Sequence, residues 1–548
     1  MCGWLSRWLL GSLLLAGLLA ACSRNEPTAG DVATPPVPSP EPALVASITP
    51  TSTSTAAAPN RHSPRLETVD CAAFQIDGSQ PDVPVRCGYL VVAENRDRPD
   101  GATIKIAVAI FSASDAVPNE PPLIWLDGGP GGDTIEQIAS VIAGPAGRLI
   151  LPGGRGLVAE RDLILVDQRG TGLSQPSLAC PELEAFKQPG RDPATSAAGA
   201  DQAGITATLV CRDRLAAEGV DLSAYTSREN AADINDLRAV LGLKQVNLYG
   251  VSYGTRLALT VMRDFPGTVR SAVLDSPLPL QADLYTGAFT GAQRSLDLIF
   301  DGCAADQICG SAYPRLQQTF YDLINRLNAD PIPFTNRDPT TGDTTPAVLS
   351  GDELAGAIFD LLYVTPMLPL IPAIIDSVAH GEVDTFLLLL RQINASGGVN
   401  QAMYYSVQCS DELPFVSASD QEAAAKAVHP ALAQALGPSF GREIQTICAS
   451  WPSHPSATIE NEPVASDVPT LILSGRHDPI TPPTFAEIAA TTLPNSTVVI
   501  FPGVGHGALL STHTCPYDIT WTFLRDPSAR PDTACVAEMK EPAWVVRR

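Results

Sequence analysis

Residues 246–259, VNLYGVSYGTRLAL, decide how this chain is interpreted. An apolar run ends at Gly250, and a single serine, Ser252, lies between two glycines ahead of a stretch with helical character. The pattern G-x-S-x-G between a strand and a helix is typical of a strained turn that lifts the serine hydroxyl above a sheet. Because the pattern is short, its surroundings must decide between a nucleophile and a plain glycine-rich turn.

The segments around this turn predict the fold class. Short runs rich in Val, Ile and Leu alternate with helical stretches from CGYLVVAEN (residues 87–95) to STVVIFPGVG (residues 496–505). Apolar strands separated by helices predict an α/β fold with a mostly parallel sheet that is covered on both faces. The runs at 87–95 and 103–111 are expected to form an antiparallel hairpin at the edge of this sheet.

One segment interrupts the alternation. Residues 281–456 contain no strong strand run, several of their stretches are helical in period or length, and the strand pattern resumes at Val468. We therefore expect a largely helical cap inserted between two strands of one sheet. The apolar stretch at 359–375 contains three prolines and is expected to form cap core or to line the cleft rather than to span a membrane.

The N-terminus predicts export. An apolar run with the length of a signal-peptide hydrophobic region ends in LAAC, residues 19–22, which resembles a bacterial lipobox, so Cys22 is expected to carry lipid. A plain secretory signal with a coincidental cysteine is the alternative. Residues 1–21 are thus predicted to be a lipoprotein signal peptide, and residues 22–65, rich in Pro, Ser and Thr, a tether. The α/β core then comprises residues 66–280 and 457–548 on either side of the cap.

Charge and cysteine content limit the possible partners. The formal net charge of −24 disfavours nucleic acid as a partner, because binding to phosphates requires basic patches. Twelve cysteines are present; without Cys2 and Cys22 ten remain, and no pair of them has zinc-site spacing. Sequence alone leaves their connectivity open, and we predict sequential pairing because it closes short loops. The predicted pairs are Cys71 with Cys87, Cys180 with Cys211, Cys303 with Cys309, Cys409 with Cys448, and Cys515 with Cys535.

A serine hydroxyl needs a base and an orienting acid to become a nucleophile. His506 follows the last predicted strand between two glycines and is favoured as the base over His513. Asp478 follows the penultimate strand and is favoured as the acid, with Asp275, at the end of an earlier strand, as the alternative.

The oxyanion formed in acyl transfer also needs hydrogen-bond donors. The backbone N–H of Tyr253 and that of Gly128 or Gly129 are the candidates, because they follow the nucleophile and the third strand. No metal or organic cofactor is needed for this chemistry.

Five motifs resemble those of one family. The chain is similar to α/β-hydrolase peptidases of the prolyl iminopeptidase and tripeptidyl aminopeptidase group, and most similar to its secreted tripeptidyl-aminopeptidase branch. The motifs are DGGPGG (127–132), DQRGTGLS (167–174), GVSYGT (250–255), SGRHDPITP (474–482) and GVGHG (503–507). The resemblance implies the α/β-hydrolase fold and a cap in this position. Asp127 stands where prolyl iminopeptidases usually have His, so strict proline specificity is not implied, and the backbone donors are expected to stay intact.

These observations predict a lipid-anchored serine exopeptidase acting on peptides with a free N-terminus. A carboxylesterase or lipase with the same triad is the first alternative, and a non-catalytic surface-binding module the second. A cationic N-terminus needs a carboxylate in the cleft, and family members take such acids from the cap. Asp411 and Glu412 are the candidates here; that either one merely caps the next turn is an equally open interpretation.

Overall fold

A nine-stranded sheet lies at the centre of the fold. The computed structural model describes residues 63–547 except 77–83, 99, 114, 118–119, 144–157, 159, 338–343, 396–398 and 454–456. The predicted signal peptide and Cys22 lie outside the described residues, as does the predicted tether up to residue 62. The strands are β1 (Arg65–Val69), β2 (Val85–Ala93), β3 (Thr103–Phe111), β4 (Leu123–Leu126), β5 (Leu163–Val166), β6 (Val246–Val251), β7 (Val269–Asp275), β8 (Ile332–Arg337), β9 (Thr344–Leu349), β10 (Thr470–Gly475) and β11 (Ser496–Phe501).

The strand order in this sheet is β1-β2-β3-β5-β4-β6-β7-β10-β11. The six strands from β5 to β11 in this order pair in parallel. The pairs β1–β2, β2–β3 and β3–β5 are antiparallel. The predicted α/β fold with a mostly parallel sheet is confirmed. The predicted β2–β3 hairpin is present, but it does not form the edge, because β1 pairs with its outer side and begins at Arg65, the last residue of the predicted tether.

Helices cover both faces of the sheet or lie in the insertion. They are α1 (Thr134–Ala143), α2 (Ala197–Ala217), α3 (Ser227–Val240), α4 (Tyr253–Asp264), α5 (Leu284–Ala305), α6 (Gln307–Ala312), α7 (Leu316–Ala329), α8 (Gly351–Tyr363), α9 (Ile371–Ala379), α10 (Asp384–Ala395), α11 (Gln401–Val407), α12 (Ala418–Lys426), α13 (Pro430–Gly437), α14 (Glu443–Cys448), α15 (Pro483–Ala490) and α16 (Cys515–Arg525).

The two faces of the sheet form separate apolar cores. Successive side chains of a strand point to opposite faces, so Leu123 and Trp125 of β4 enter one core while Ile124 and Leu126 enter the other. All four residues of β4 are buried, as expected for a strand with neighbours on both sides and helices on both faces. The central strands are thereby fixed in register, and their carboxyl ends form a rigid edge.

The insertion between β7 and β10 is largely helical, as predicted, and we call residues 281–456 the inserted segment. It also contains the antiparallel pair β8–β9, which was not predicted. The apolar stretch 359–375 is divided by its prolines: α8 ends at Tyr363, a 3₁₀ turn covers Thr365–Leu370, and α9 begins at Ile371. In the described part of the chain, no helix combines the length and the apolar character needed to cross a bilayer.

Disulfides join all ten predicted partners in the predicted sequential pairs. Such bonds form and persist in oxidising compartments. They therefore indicate an extracytoplasmic location.

Candidate active site

Ser252 lies on the turn between β6 and α4. Its backbone has φ 56° and ψ −125°, a conformation that few residues other than glycine adopt and that costs about 1–3 kcal/mol. A Cβ atom at Gly254 would lie 2.0 Å from the carbonyl oxygen of Leu126, so only glycine allows α4 to start this close to β4. The Ser252 N–H donates to the backbone oxygen of Asp275 at 3.0 Å, which ties the turn to β7.

The loop after β4 packs directly against this serine. A Cβ atom at Gly128 would lie 2.9 Å from the Cβ and 3.5 Å from the Oγ of Ser252. The Gly128 N–H, however, donates to Oδ1 of Asp127 at 2.8 Å. The N–H groups of Gly129 and Tyr253 have no acceptor among the described residues. The expectation that Asp127 leaves every backbone donor intact is therefore wrong for Gly128, whose N–H is bound by the neighbouring carboxylate.

Two of the motifs form a single unit beside the serine. The Gln168 side chain donates to the backbone oxygen of Asp127 at 2.9 Å, and the Gly172 N–H donates to Asp133 at 2.8 Å. Asp167 accepts the N–H groups of Ile135 and Leu173, both at 2.8 Å. The loops 127–135 and 167–175 therefore hold each other in place.

Asp478 and His506 are in direct contact. The Nδ1 atom of His506 lies 2.8 Å from Oδ2 of Asp478, which is fully buried. The other carboxylate oxygen accepts the N–H groups of Ile480 at 3.0 Å and Thr481 at 2.9 Å. The Thr481 hydroxyl, which sequence analysis did not single out, donates to Oδ2 at 2.9 Å and lies 3.2 Å from Nδ1 of His506. The carboxylate is thus fixed with one oxygen turned toward the imidazole.

Burial and charge act in opposite directions on this pair. Burial lowers the pKa of His506, but the charge and hydrogen bond of Asp478, helped by the charge of Asp275, outweigh burial and raise this pKa above its usual value. Burial likewise raises the pKa of Asp478, and the contact with His506 together with the two N–H groups brings it below its usual value. Both shifts favour an imidazolium–carboxylate pair.

Asp275, the alternative acid, holds the backbone of the histidine loop instead of the imidazole. Its carboxylate accepts the N–H groups of Ala508 at 2.7 Å and Leu509 at 2.9 Å, and the hydroxyl of Tyr249 at 2.9 Å. The next residue, Ser276, also has a positive φ of 56°, and its hydroxyl accepts the Gly507 N–H at 2.8 Å. The end of β7 is therefore bound to both the serine turn and the loop that follows His506.

Two other histidines near this region, His513 and His477, make no hydrogen bond to Ser252, Asp275 or Asp478 through their rings within the described residues. His477 is buried and its Nε2 lies 2.6 Å from Glu541 near the C-terminus. Its position agrees with the expectation that His477 is a loop residue.

The inserted segment supplies a wall beside His506. The backbone oxygen of Tyr363 accepts the His506 N–H at 3.0 Å, and the two ring centroids lie 5.0 Å apart. The Thr365 hydroxyl accepts the Gly505 N–H at 3.0 Å. The sequence predicted that this stretch forms cap core or lines the cleft, and the contacts of Tyr363 and Thr365 with the His506 loop agree with the second interpretation.

The structure places Asp411 and Glu412 in a buried charge cluster. They lie in a π-helical turn, Gln408–Glu412, a type of turn frequent at functional sites. Asp411 accepts the Ser227 N–H at 2.7 Å and so caps α3, a helix far away in sequence, not the next turn. Glu412 forms an ion pair with Arg256 of α4 at 2.8 Å. Burial raises the pKa of Asp411 to about 6 and that of Glu412 to about 7, against the opposing charge of Arg256.

This turn is connected to the loop beside Ser252. The N–H of Asn400, which caps α11, donates to the backbone oxygen of Gly131 at 2.8 Å. The Asn400 side chain also donates to the backbone oxygen of Gly170 at 3.0 Å. The helix that leads to Asp411 and Glu412 therefore starts at the loops beside the serine.

Comparisons with known proteins agree with this geometry. The family model described as "alpha/beta hydrolase fold" matches residues 121–298, and the model described as "TAP-like protein" matches residues 433–535. The serine protease Hip1 of Mycobacterium tuberculosis (strain H37Rv) is 26% identical over 476 residues, 82% of this chain and 86% of that protein.

Two further relatives differ in their stated activities. The tripeptidyl aminopeptidase of Streptomyces coelicolor is 32% identical over 217 residues, 38% of this chain and 37% of that protein. The carboxylesterase B of Mycobacterium tuberculosis (strain CDC 1551) is 25% identical over 484 residues, 84% of this chain and 88% of that protein. These matches confirm the resemblance seen in the motifs: the chain is a serine hydrolase with the α/β-hydrolase fold.

Proposed function

Starting from a serine hydrolase with the α/β-hydrolase fold, we propose that this protein is a serine exopeptidase that releases residues or short peptides from free N-termini. The observation that carries the proposal is the 2.8 Å contact between His506 and Asp478 in a loop bound, through Asp275, to the turn of Ser252. The relatives named serine protease and tripeptidyl aminopeptidase support a peptide substrate.

In the proposed reaction, Ser252 Oγ attacks the scissile carbonyl carbon while His506 Nε2 accepts the hydroxyl proton. The imidazolium is stabilised by Asp478, which stays ionised. The proton then passes to the leaving amine, the C–N bond breaks, and an acyl-enzyme remains on Ser252. Water attacks this ester, gives its proton to His506, and releases the N-terminal fragment as a carboxylic acid while Ser252 regains its proton.

The developing oxyanion needs donors in the free protein that are not already bound. The N–H groups of Tyr253 and Gly129 meet this condition, whereas that of Gly128 is bound to Asp127. We therefore assign the oxyanion to Tyr253 and Gly129, each donor being worth about 3–4 kcal/mol of transition-state stabilisation.

Recognition of the substrate amine is proposed for the turn that contains Asp411 and Glu412. Asp411 is committed to the N-terminus of α3, so Glu412 is the better candidate of the two. An ammonium arriving there would share Glu412 with Arg256. The hydroxyl of Tyr285, which donates to Gln408 in the same turn at 2.8 Å, contributes a further polar group to this region.

The experiment compares three substrates that share one acyl sequence: a peptide with a free N-terminus, its N-acetylated form, and an ester. Glu412→Gln should lower kcat/KM about 10- to 100-fold for the free-amine peptide, the worth of a charged hydrogen bond, and leave the acetylated peptide nearly unchanged. Glu422→Gln is the matched control, because Glu422 is exposed and, in the part of the chain that the structure describes, pairs only with Lys426. Equal kcat/KM for free and acetylated peptides on the wild type would refute the exopeptidase proposal.

A carboxylesterase is the second candidate, and the alignment with carboxylesterase B over 84% of the chain favours it. This candidate would be supported if kcat/KM for the ester exceeded kcat/KM for the peptide by far more than the intrinsic difference in reactivity between an ester and an amide. Covalent labelling of Ser252 by a fluorophosphonate would exclude a non-catalytic binding module.

We also propose that the protein is attached to a membrane through lipid on Cys22, which lies outside the described residues, and that it does not bind nucleic acid. Mass spectrometry of the mature N-terminus tests the attachment: a lipid-modified Cys22 is expected as the first residue. An unmodified N-terminus at another residue would remove this proposal.

A further inference from the structure

Asp360 differs from the other carboxylates of its helix. It lies in the last turn of α8, its side chain is exposed, and it has no hydrogen-bond or ion-pair partner among the described residues. By contrast, Asp352 accepts from Asn328 at 2.8 Å, and Glu353 accepts the N–H of Ser350 at 2.6 Å. Asp360 is thus a carboxylate that no part of the described chain has neutralised.

Asp360 lies close to Tyr363, one turn earlier on α8. Residues three apart lie on the same face of a helix, and the carboxylates of Asp360 and Asp478 both lie close enough to the Tyr363 hydroxyl to raise its pKa. The Tyr363 ring is 5.0 Å from the ring of His506. Asp360 therefore belongs to the wall next to the proposed base.

Other protein groups lie close around the exposed carboxylate of Asp360. The side chain reaches solvent, yet burial by the neighbouring protein raises the pKa of Asp360 to about 7. Burial is the sole cause of this shift. A carboxylate that is both accessible and crowded by protein on its flanks is well placed to receive a ligand group from solution.

The proposed mechanism determines which part of a substrate comes to this wall. His506 must deliver its proton to the leaving amine, so the leaving fragment has to lie against the imidazole. The acyl fragment is covalently attached to Ser252 and points to the oxyanion donors of Tyr253 and Gly129. A side chain of the leaving fragment is thus the substrate group closest to Tyr363 and Asp360.

We infer that Asp360 binds a positively charged side chain, a Lys ammonium or an Arg guanidinium, on the leaving side of the scissile bond. This inference rests on the proposed exopeptidase function and adds a substrate preference to it. It concerns a site separate from the turn of Asp411 and Glu412, which is proposed to bind the amine of the acyl fragment.

The test uses free-N-terminal peptides that differ only in the first residue after the cleaved bond: Lys, norleucine or Glu. Norleucine keeps the aliphatic stem of Lys without its charge, and the cleaved bond is located by mass analysis of the products. The variant is Asp360→Asn. The matched control is Asp322→Asn, because Asp322 is an exposed carboxylate of α7 in the same inserted segment.

We expect the wild type to favour Lys over norleucine by about fivefold to tenfold in kcat/KM, the range between an exposed ion pair and a charged hydrogen bond. Asp360→Asn should bring this ratio close to one, and Asp322→Asn should leave it unchanged. Thermal unfolding should show all three proteins equally folded. A wild-type ratio of one, or a ratio that survives Asp360→Asn, would overturn the inference.

The pH dependence of the same ratio separates charge recognition from a structural role. Lys is cationic at pH 6 and pH 8, while the Asp360 carboxyl loses most of its charge between pH 8 and pH 6. The Lys-to-norleucine ratio of the wild type should therefore fall toward pH 6, and fall more than that of Asp360→Asn. The charged groups near Tyr363, Asp478 and His506, are present in both proteins, so their effect on the cationic substrate is measured in Asp360→Asn and is removed by comparing the two proteins. An equal fall in both proteins would overturn the inference.

Two further outcomes are distinct. If Asp360→Asn weakens free-amine peptides relative to acetylated ones whatever the leaving residue, Asp360 binds the α-amine and the inference is overturned. If the wild type cleaves none of the peptides, the proposed exopeptidase function fails and the inference fails with it. Cleavage at equal rates for all three leaving residues refutes the inference alone.

Discussion

The candidate site residues at the ends of β6, β7 and β10 are positioned by hydrogen bonds to backbone atoms. In the inserted segment, the candidate site residues are positioned mainly by contacts with other side chains. Asp275 and Asp478 each accept two backbone N–H groups. Glu412 pairs with the Arg256 side chain, and Gln408 accepts from the hydroxyl of Tyr285. Groups held by backbone are fixed as rigidly as the sheet itself, while groups held by side chains change with local sequence. We therefore expect strand-end variants to alter kcat for every substrate, and variants of the inserted segment to alter selectivity.

The largest effect should come from the serine turn. Ser252→Ala should lower kcat by about 10⁶-fold for peptides and esters alike, because no acyl-enzyme can form. His506→Ala should have a similar effect, and the double variant should be no worse, since the two groups act as a unit. His513→Ala is the control and should retain activity. Turnover by folded Ser252→Ala at a tenth of the wild-type rate would contradict the assignment.

The second effect concerns the end of β10. Asp478→Asn should lower kcat by about 10⁴-fold, because the imidazole loses its orienting carboxylate and favours the wrong tautomer. Steady-state kinetics with a peptide and an ester tests whether both losses are equal, as a strand-end role requires. A loss of kcat for the peptide but not for the ester would show that Asp478 affects substrate selectivity, which contradicts the prediction for strand-end residues.

The third effect concerns the end of β7. In Asp275→Asn one acceptor oxygen replaces two, so an N–H of Ala508 or Leu509 loses its partner. Leaving a buried group unpaired should cost about 1–3 kcal/mol of unfolding free energy. Displacement of the histidine loop should lower kcat about 10- to 100-fold. Thermal unfolding and kcat check both values, and Asp467→Asn, at the opposite end of the sheet, is the control.

The pH dependence of kcat/KM gives a second test of Asp275, in which the direction of the shift is predicted. The base must be neutral, so wild-type kcat/KM should fall as the pH drops through the pKa of His506, which lies above its usual value. Asp275 contributes to this rise, so in Asp275→Asn the loss of activity should begin at a lower pH. An unchanged profile would show that Asp275 acts on the loop position alone.

The smallest kinetic effect should come from the Cys409–Cys448 disulfide, which ties the turn of Glu412 to the end of α14. Replacing both cysteines by Ala should lower the unfolding free energy by about 4 kcal/mol for this 39-residue separation. KM for free-amine peptides should rise several-fold, while kcat for an ester stays within about twofold. The Cys303–Cys309 pair, with a separation of 6, is the control and should leave KM unchanged. An equal fall in kcat for peptides and for the ester would contradict the expectation that the inserted segment affects selectivity and not kcat.

The contact between Asp478 and His506 could be predicted from the sequence for a physical reason. In a parallel sheet the order of strands along the chain and the loops at their carboxyl ends largely determine which side chains meet. Asp478 and His506 each follow an apolar strand directly, and the two strands pair with each other. The five disulfides were predicted for a related reason, since their partners are close in sequence.

Contacts between distant segments left no local signal. Asp411 caps α3 from 184 residues away, and nothing around either residue indicates this partner. The binding of the Gly128 N–H by Asp127 depends on a side-chain rotamer that no pattern predicts. β8 was missed because its sequence, IPFTNR, is short and mixes Pro and polar residues with two apolar ones.

The strand order also has a consequence for the time at which the site is completed. Ser252 and β6 come early in the chain, whereas β10 and β11, which are followed by Asp478 and His506, are the last strands of the sheet along the chain. At roughly 5–20 residues per second, the 226 residues from Ser252 to Asp478 take about 10–45 s to synthesise. During this interval the proposed nucleophile has neither its proposed base nor its proposed acid, so we expect a nascent chain to be inert toward the peptides around it until its final quarter has been made and folded.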